Sequence, residues 1–258
     1  MSSFIVEYQE SFADNLTNIA YAKILQNKTD DKFFFVNNPL KRKKFERDME
    51  NFSLDFSYLS KNQVQLITSK SYKFTRKLIK ENKILKNIRL NIKKNKALNI
   101  RHFSINDISS IPNDLFKDFK FKNTDFIINY DYLDEIKSSN SIGLFIDKKD
   151  AHNIDYNFIL KSVLRLNKYL KRPVLYIFSK GKNNIDLSQM PIKTKFVNIA
   201  DWREEFYLLT NCRNKIILMN DNSYSAGFWS SILNQKTYLV AFDRKINPKN
   251  YPDNWIKI

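Results

Sequence analysis

Glycine is scarce in this chain, and its scarcity excludes two large classes of nucleotide-binding enzyme. The 258 residues include three glycines, Gly143, Gly181 and Gly227. They lie too far apart to form a GxGxxG or GxxxxGK[ST] loop, in which glycines let the backbone approach a phosphate. We therefore expect neither a P-loop NTPase nor an ordinary NAD-binding dehydrogenase.

Cysteine and histidine are equally scarce. One cysteine, Cys212, and two histidines, His102 and His152, are present, too few for a Cys/His zinc site or an intrachain disulfide. The sequence thus predicts no metal cofactor and a reducing, cytoplasmic environment. No apolar run approaches the roughly 18 to 20 residues that a membrane-spanning helix needs. We expect a cytoplasmic protein that is soluble or bound peripherally to the inner face of the membrane.

Positive charge is abundant and concentrated in one segment. The chain has 44 basic and 27 acidic residues, or +17, and residues 70–96 hold eleven basic residues against one acidic residue. Apolar side chains recur there at helical spacing, which predicts an amphipathic helix with a cationic face. A solvated lysine-rich surface explains this face most simply. The alternatives are attraction to an anionic membrane or a lipid-linked acceptor and, last, nucleic acid, since no nucleic-acid-binding motif accompanies the charge.

Apolar runs alternate with helical periodicity through the second half of the chain. This pattern predicts strands at 142–146, 174–178, 194–199, 215–219 and 237–242, and helices at 156–170, 202–212 and 226–234. Such alternation is typical of a parallel sheet with right-handed crossovers.

The first half repeats the pattern more weakly. It predicts strands at 4–8, 33–36 and 125–129 and a helix at 16–26. The polar cluster 137–141 is typical of a turn between periodic segments. We therefore predict two domains, at residues 1–138 and 139–258.

The most specific motifs lie in the last third of the chain. Residues 209–217 read LTNCRNKII, and residues 220–225 read NDNSYS. Their order resembles glycosyltransferase family 11, the bacterial and animal α-1,2-fucosyltransferases, in which LMSxCxHxII leads to NSSFSWWxAxLN. Residues 156–181 resemble that family's YYxxAI helix and IFSDD strand, and residues 14–23 resemble its NQMFQYAFAK segment.

This resemblance implies a fold and an activity. The fold would be α/β and GT-B-like, with two Rossmann-like domains built on parallel sheets, the first on the acceptor side and the second binding the nucleotide sugar. The activity would be an inverting transfer of fucose from GDP-fucose to a galactosyl residue of a bacterial surface glycan such as lipooligosaccharide or capsule. No metal is implied, because basic side chains and helix amino termini would neutralise the diphosphate leaving group.

The chain departs from the family at three motifs, one of which is the acidic pair of IFSDD, replaced here by Lys180 and Gly181. Residues 145–150, FIDKKD, stand where the family has HxRRxD, and residues 10–15 stand where it has GGLGNQ. Lys148 replaces the second arginine, and a lysine binds phosphate as a point charge without arginine's paired donors. The identity of the donor therefore stays open.

For the donor site, the resemblance implies residues that follow predicted strands. Lys148 and Lys149 would offset the diphosphate charge, and Asp150 would orient their loop. The donor would also contact Ser179 and the polar run Asn222, Ser223, Tyr224 and Ser225. Asn and Ser before a helix can instead cap that helix, so a purely structural role for the run is the alternative.

Catalysis by inversion requires a base for the acceptor hydroxyl, and Asp14 in the first-domain motif is the candidate. Cys212 is predicted to be a packed thiol and His152 a surface residue. We expect Trp202, Trp229 and Trp255 to pack in the core or between domains.

Two other functions stay open. A catalytically silent relative that binds a glycan or a partner enzyme would explain the joint loss of the arginines and the glycine loop. A nucleic-acid-binding protein would use the basic segment 70–96, and its binding would fall steeply with salt.

Overall fold

The computed structural model describes part of the chain in detail. The described residues are 3–6, 12, 15–17, 19–20, 32–37, 49–50, 52, 58–60, 121–122, 124–146, 155–179, 190–218, 226–234, 237–242 and 255–258. The chain divides into two compact units, Met1–Lys122 and Asn123–Ile258.

The first unit contains a parallel sheet. Its described strands are β1 (Ser3–Val6), β2 (Lys32–Asn37) and β3 (Tyr58–Ser60), in that spatial order. Helical residues between β1 and β2 bury Leu16, Ile19 and Ala20, whose spacing of three and four residues places them on one helix face. A parallel β-α-β arrangement therefore forms where the sequence predicts it.

The second unit carries a larger parallel sheet flanked by helices. Its described elements are α1 (Tyr130–Ser138), β4 (Ser141–Ile146), α2 (Tyr156–Asn167), β5 (Val174–Ser179), β6 (Lys193–Val197), α3 (Trp202–Asn211), β7 (Asn214–Ile217), α4 (Ala226–Leu233), β8 (Leu239–Phe242) and β9 (Trp255–Lys257). Six described strands lie in the order β6-β5-β4-β7-β8-β9, and every adjacent pair is parallel. The prediction of an α/β fold with parallel sheets is confirmed.

The sheet of the second unit is covered on both faces. Ile142, Leu144 and Ile146 of β4 pack with the buried side of α2 in one apolar cluster. The other cluster contains Tyr176 and Phe178 of β5 together with buried residues of α1 and α3. Successive residues of a strand point to opposite faces of the sheet. The nearly continuous apolar sequences of β4 and β5 therefore contribute side chains to both clusters.

Gly143 allows α3 to approach the central strand β4. A Cβ atom added at Gly143 would lie 2.8 Å from Leu209 Cδ1 and 3.0 Å from Cys212 Cβ. Protein interiors are close-packed and have no room for such contacts without displacement. One of the three glycines is therefore needed for helix-sheet packing.

Helix α1 belongs to the second unit, although the sequence predicts a domain boundary after residue 138. Leu133 and Ile136 are buried in the cluster that includes α3. Glu204 of α3 also accepts hydrogen bonds at Oε1 from the backbone N–H groups of Ile128 (2.8 Å) and Asn129 (2.6 Å). These contacts attach the segment before α1 to α3, and the structure divides the chain between Lys122 and Asn123.

One local prediction, the strand at 125–129, differs from the structure. Residues 125–129 form a turn and an irregular segment instead of a strand, because the N–H groups at 128 and 129 bind Glu204 and are not available to a sheet. Trp255 begins the edge strand β9, and its ring centroid lies 5.8 Å from that of Phe228 and 5.9 Å from that of Phe242. Trp229 is buried as predicted.

Replacing Gly143 by alanine should lower the free energy of unfolding by about 1 to 3 kcal/mol, because the new methyl group overpacks the interface between α3 and β4. Urea denaturation measures this change. In a Leu209→Ala background the cost should be smaller, because the nearest obstructing atom is gone. Equal costs in the two backgrounds would contradict the packing argument.

Candidate functional site

The strand order of the second unit contains a switch point. From β4 the chain proceeds outward through β5 and β6 on one side, and then through β7, β8 and β9 on the other. Leu144 of β4 pairs with Ile216 of β7, so the carboxyl ends of these two strands lie side by side. Open α/β sheets bind ligands in the crevice at such a point, because the connections leave it in opposite directions.

Two segments singled out in the sequence begin at this switch point. Residues 147–154 follow β4, and residues 219–225 follow Leu218, the residue after β7. These segments contain Lys148, Lys149, Asp150, Asn222, Ser223, Tyr224 and Ser225, all of which lie outside the described residues, as do Asp14 and His152. The structure thus brings together the strand ends that carry the two segments, and the roles of these residues remain predictions.

Ser179 is the predicted site residue that lies within the described part of the chain. It is the last residue of β5, it is 8% exposed, and it pairs in register with Ile146 at the end of β4. Ser179 therefore lies at the carboxyl edge of the sheet, directly beside the strand that leads to Lys148.

The helices that begin at this edge differ in how their amino termini are capped. The Asp155 side chain accepts a hydrogen bond from Phe158 N at 3.0 Å and caps α2. The Asp201 side chain accepts one from Arg203 N at 2.9 Å and caps α3. A carboxylate already satisfies these N–H groups and would repel a second anion. Helix α1 has no side-chain cap, but the Glu204 carboxylate binds the N–H groups of Ile128 and Asn129 just before it. Helix α4 follows residues 219–225.

A buried hydroxyl lies in the first turn of α2. Tyr156 packs against the apolar cluster on the α2 side of the sheet, and its Oη atom is buried without a hydrogen-bond partner among the described residues. Burying an unpaired hydroxyl costs free energy. The sequence alone contains no signal for this, because burial of one atom depends on the packing around it.

A second polar cluster lies at the opposite, amino-terminal end of β7. The fully buried Lys215 donates from Nζ to Cys212 O (2.5 Å) and Thr210 O (3.3 Å). Asn234 Nδ2 donates to the same two carbonyls at 3.2 and 2.7 Å. These carbonyls end helix α3, where a cation is favourable. Lys215 therefore caps a helix and is remote from the candidate site.

Burial shifts the titration of two groups in this cluster. Desolvation lowers the pKa of Lys215 to about 8, since a buried ammonium is costly. Desolvation raises the pKa of the Cys212 thiol to about 12. Cys212 is fully buried and its Sγ contacts Leu208 O at 3.6 Å, so the prediction of a packed thiol is confirmed.

Neither a metal site nor a membrane span is found in the described residues. No group of three His, Cys, Asp or Glu side chains there is arranged to hold a metal ion. None of the described helices is both long enough and apolar enough to cross a bilayer.

No protein-family model matches this sequence, and no curated protein matches it either. Solved structures with a similar course of the chain include a glycosyl transferase of family 9 from Veillonella parvula, with 9% identity and a TM-score of 0.49 over 100% of this chain and 86% of that one. The fucosyltransferase NodZ from Bradyrhizobium has 13% identity and a TM-score of 0.45 over 90% of this chain and 93% of its own. A selenomethionine form of NodZ has 11% identity and a TM-score of 0.40, with 92% and 91% covered.

Lys215→Met should abolish a rise in stability between pH 8 and pH 9. In the wild type the folded Lys215 loses its proton near pH 8, whereas the unfolded chain keeps it until about 10.5. The unfolded state then binds more protons, so the free energy of unfolding should rise by about 1 kcal/mol per pH unit. Urea denaturation at several pH values measures this slope.

Cys212→Ala is the control for this titration. Above the ordinary thiol pKa of 9.0 the unfolded cysteine ionises, while the folded one stays protonated until about pH 12, which lowers stability as pH rises. Removing Cys212 should therefore extend the rise toward pH 10.5. A Lys215→Met variant with an unchanged slope would refute the assignment to Lys215.

Tyr156→Phe should leave the free energy of unfolding unchanged or raise it by about 1 kcal/mol, because the buried hydroxyl lost has no partner. Tyr176→Phe is the matched control, since Tyr176 Oη shares a hydrogen bond with Ser139 Oγ at 3.3 Å. That change should lower stability by about 1 kcal/mol. Urea denaturation measures the free energy of unfolding of both variants. A larger loss of stability in Tyr156→Phe than in Tyr176→Phe would contradict this prediction.

Proposed function

We propose that this chain is a glycosyltransferase that transfers a sugar from a nucleotide-sugar donor, with GDP-fucose favoured, to a galactosyl residue of a bacterial surface glycan. The linkage that the sequence resemblance implies is α-1,2. The proposal includes a GT-B-like fold, with the second unit binding the donor and the first unit binding the acceptor.

The observation that carries the proposal is the switch point at the ends of β4 and β7. The strand order there, β6-β5-β4-β7-β8-β9, is the 3-2-1-4-5-6 order of nucleotide-binding α/β sheets. The segments that match the family's donor motifs in sequence order follow these two strands. Lys148 is the second residue after Ile146, and two residues of chain extend no further than about 8 Å.

The capping pattern supports a diphosphate at the start of α4. Helices α2 and α3 are closed to an anion by Asp155 and Asp201, whereas α4 directly follows the run Asn222, Ser223, Tyr224 and Ser225. Backbone N–H groups at a helix start, together with side-chain hydroxyls, suit phosphate oxygens. Lys148 and Lys149 would add positive charge, and Ser179 would contribute a hydroxyl at the same edge.

The proposed reaction is a single displacement at the anomeric carbon. The acceptor oxygen forms a bond to this carbon as the bond to the diphosphate oxygen breaks, and the configuration inverts. Asp14 would accept the proton of the acceptor hydroxyl. The leaving diphosphate takes the bonding electrons, and Lys148, Lys149 and the start of α4 would stabilise its charge without a metal. Asp150 would orient the loop that carries the lysines.

Isothermal titration calorimetry with GDP, GDP-fucose and a panel of other nucleotide sugars tests this proposal. The wild type should bind GDP-fucose, and the double variant Lys148→Gln, Lys149→Gln should bind it roughly tenfold to a hundredfold more weakly, because charge-assisted contacts to phosphate are lost. The matched control is Lys122→Gln, Lys193→Gln, which removes the same charge from two exposed positions.

The outcomes separate the proposal from its alternatives. Binding of another nucleotide sugar would keep the transferase assignment and change the donor. Equal losses in the test and control variants would contradict the role of Lys148 and Lys149. A wild type that binds no nucleotide sugar would overturn the transferase proposal and favour a catalytically silent relative that binds a glycan or a partner.

A further inference from the structure

The outward face of helix α2 is unusually cationic. The opposite side of this helix is buried against the sheet through Phe158, Ile159, Val163 and Leu166. The exposed side presents a surface that we call the α2 basic face, made of Lys161, Leu164, Arg165, Lys168 and Tyr169. Positions 161, 164, 165 and 168 are three or four residues apart and therefore form one stripe.

Among the described residues, no acidic side chain pairs with these cations. From residue 156 to residue 179 the chain contains five basic residues and neither aspartate nor glutamate. In the described part of the chain, no ion pair involves Lys161, Arg165 or Lys168. Elsewhere in the same unit, acids do pair with cations, as Glu135 does with Lys195 and Asp201 with Arg203. Lys171 and Arg172, exposed in the turn after α2, extend the uncompensated charge.

Two large apolar side chains lie among these cations. Leu164 is 46% exposed and Tyr169 is 58% exposed. The Arg165 guanidinium lies 5.9 Å from the centre of the Tyr169 ring, a distance at which the cation is attracted to the ring face. The face thus combines a basic stripe with exposed apolar groups, and tyrosine is a residue favoured at the interface of a bilayer with water.

We propose that the α2 basic face binds the surface of an anionic phospholipid bilayer. Its cations attract the lipid phosphates, while Leu164 and Tyr169 enter the apolar edge of the headgroup layer. A bilayer accounts for both kinds of side chain, whereas a nucleic acid offers its phosphates to the cations but no apolar layer to Leu164. The residues of this face are neither those of the basic segment 70–96 nor those of the switch point, so the proposal goes beyond the transfer reaction and does not depend on it.

Vesicle co-sedimentation of the full chain tests the proposal. The wild type should sediment with phosphatidylcholine vesicles that contain about one third phosphatidylglycerol, should not sediment with pure phosphatidylcholine, and should be released as salt screens the charges. The triple variant Lys161→Gln, Arg165→Gln, Lys168→Gln should lose roughly fivefold in partition for each charge, or about a hundred-fold in total.

Two matched variants separate the face from net charge. Lys83→Gln, Lys86→Gln, Arg89→Gln removes three charges from the segment 70–96 and should change the partition much less than the α2 triple. Leu164→Ser, Tyr169→Ser keeps the charge and should weaken partition about tenfold, because apolar contact with the headgroup layer is lost. Thermal unfolding should be nearly unchanged in the two α2 variants, since the side chains replaced in them are exposed.

Three results would overturn the proposal. Equal losses in the two charge-removing triples would assign binding to net charge alone. An unaffected Leu164→Ser, Tyr169→Ser variant, together with competition by duplex DNA, would indicate a general polyanion site. A wild type that ignores anionic vesicles but binds a nucleotide sugar would reject the lipid surface and leave the transferase proposal standing.

Discussion

The position of β4 between β5 and β7 is the constraint on which the second unit depends. Its backbone pairs with both neighbours, and its side chains enter both apolar clusters. On the α3 face the approach is so close that a side chain at residue 143 would displace Leu209 or Cys212. After β4 the chain continues to β5 on one side of the sheet, and after β7 it continues to β8 on the other side. The pairing of β4 with β7, which helps to form the core, therefore also creates the switch point.

Acidic side chains in the second unit serve mainly to hold elements in place. Asp155 and Asp201 cap helices, Asp201 also pairs with Arg203, and Glu204 binds backbone N–H groups before α1. Cations, by contrast, remain in excess and collect on surfaces that no acid offsets, of which the face of α2 is the clearest described example. An excess of this kind does little for the fold but determines which molecules are attracted to the protein.

The two edges of the sheet differ in chemistry. At the amino edge, Lys215 and Asn234 satisfy the last carbonyls of α3 inside the protein, and the pKa of Lys215 falls because the ammonium is cut off from water. That cluster is closed and structural. At the carboxyl edge, Ser179 and the ends of β4 and β7 lead into segments rich in lysine, serine and asparagine, which are the segments that we propose contact the donor.

Periodicity in the sequence was enough to determine the α/β class and most elements of the second unit, because apolar spacing reports directly which side of a helix or strand is buried. It did not predict α1 or β9, and it assigned residues 125–129 to a strand, since a local apolar run does not reveal that Glu204, 75 residues away, binds the N–H of Asn129. The sequence also determined the charge and the order of the candidate site residues along the chain. Only the tertiary structure decided that β4 lies beside β7, that Lys215 is buried and that the cations of α2 lack acidic partners, because each of these depends on contacts between residues far apart in the chain.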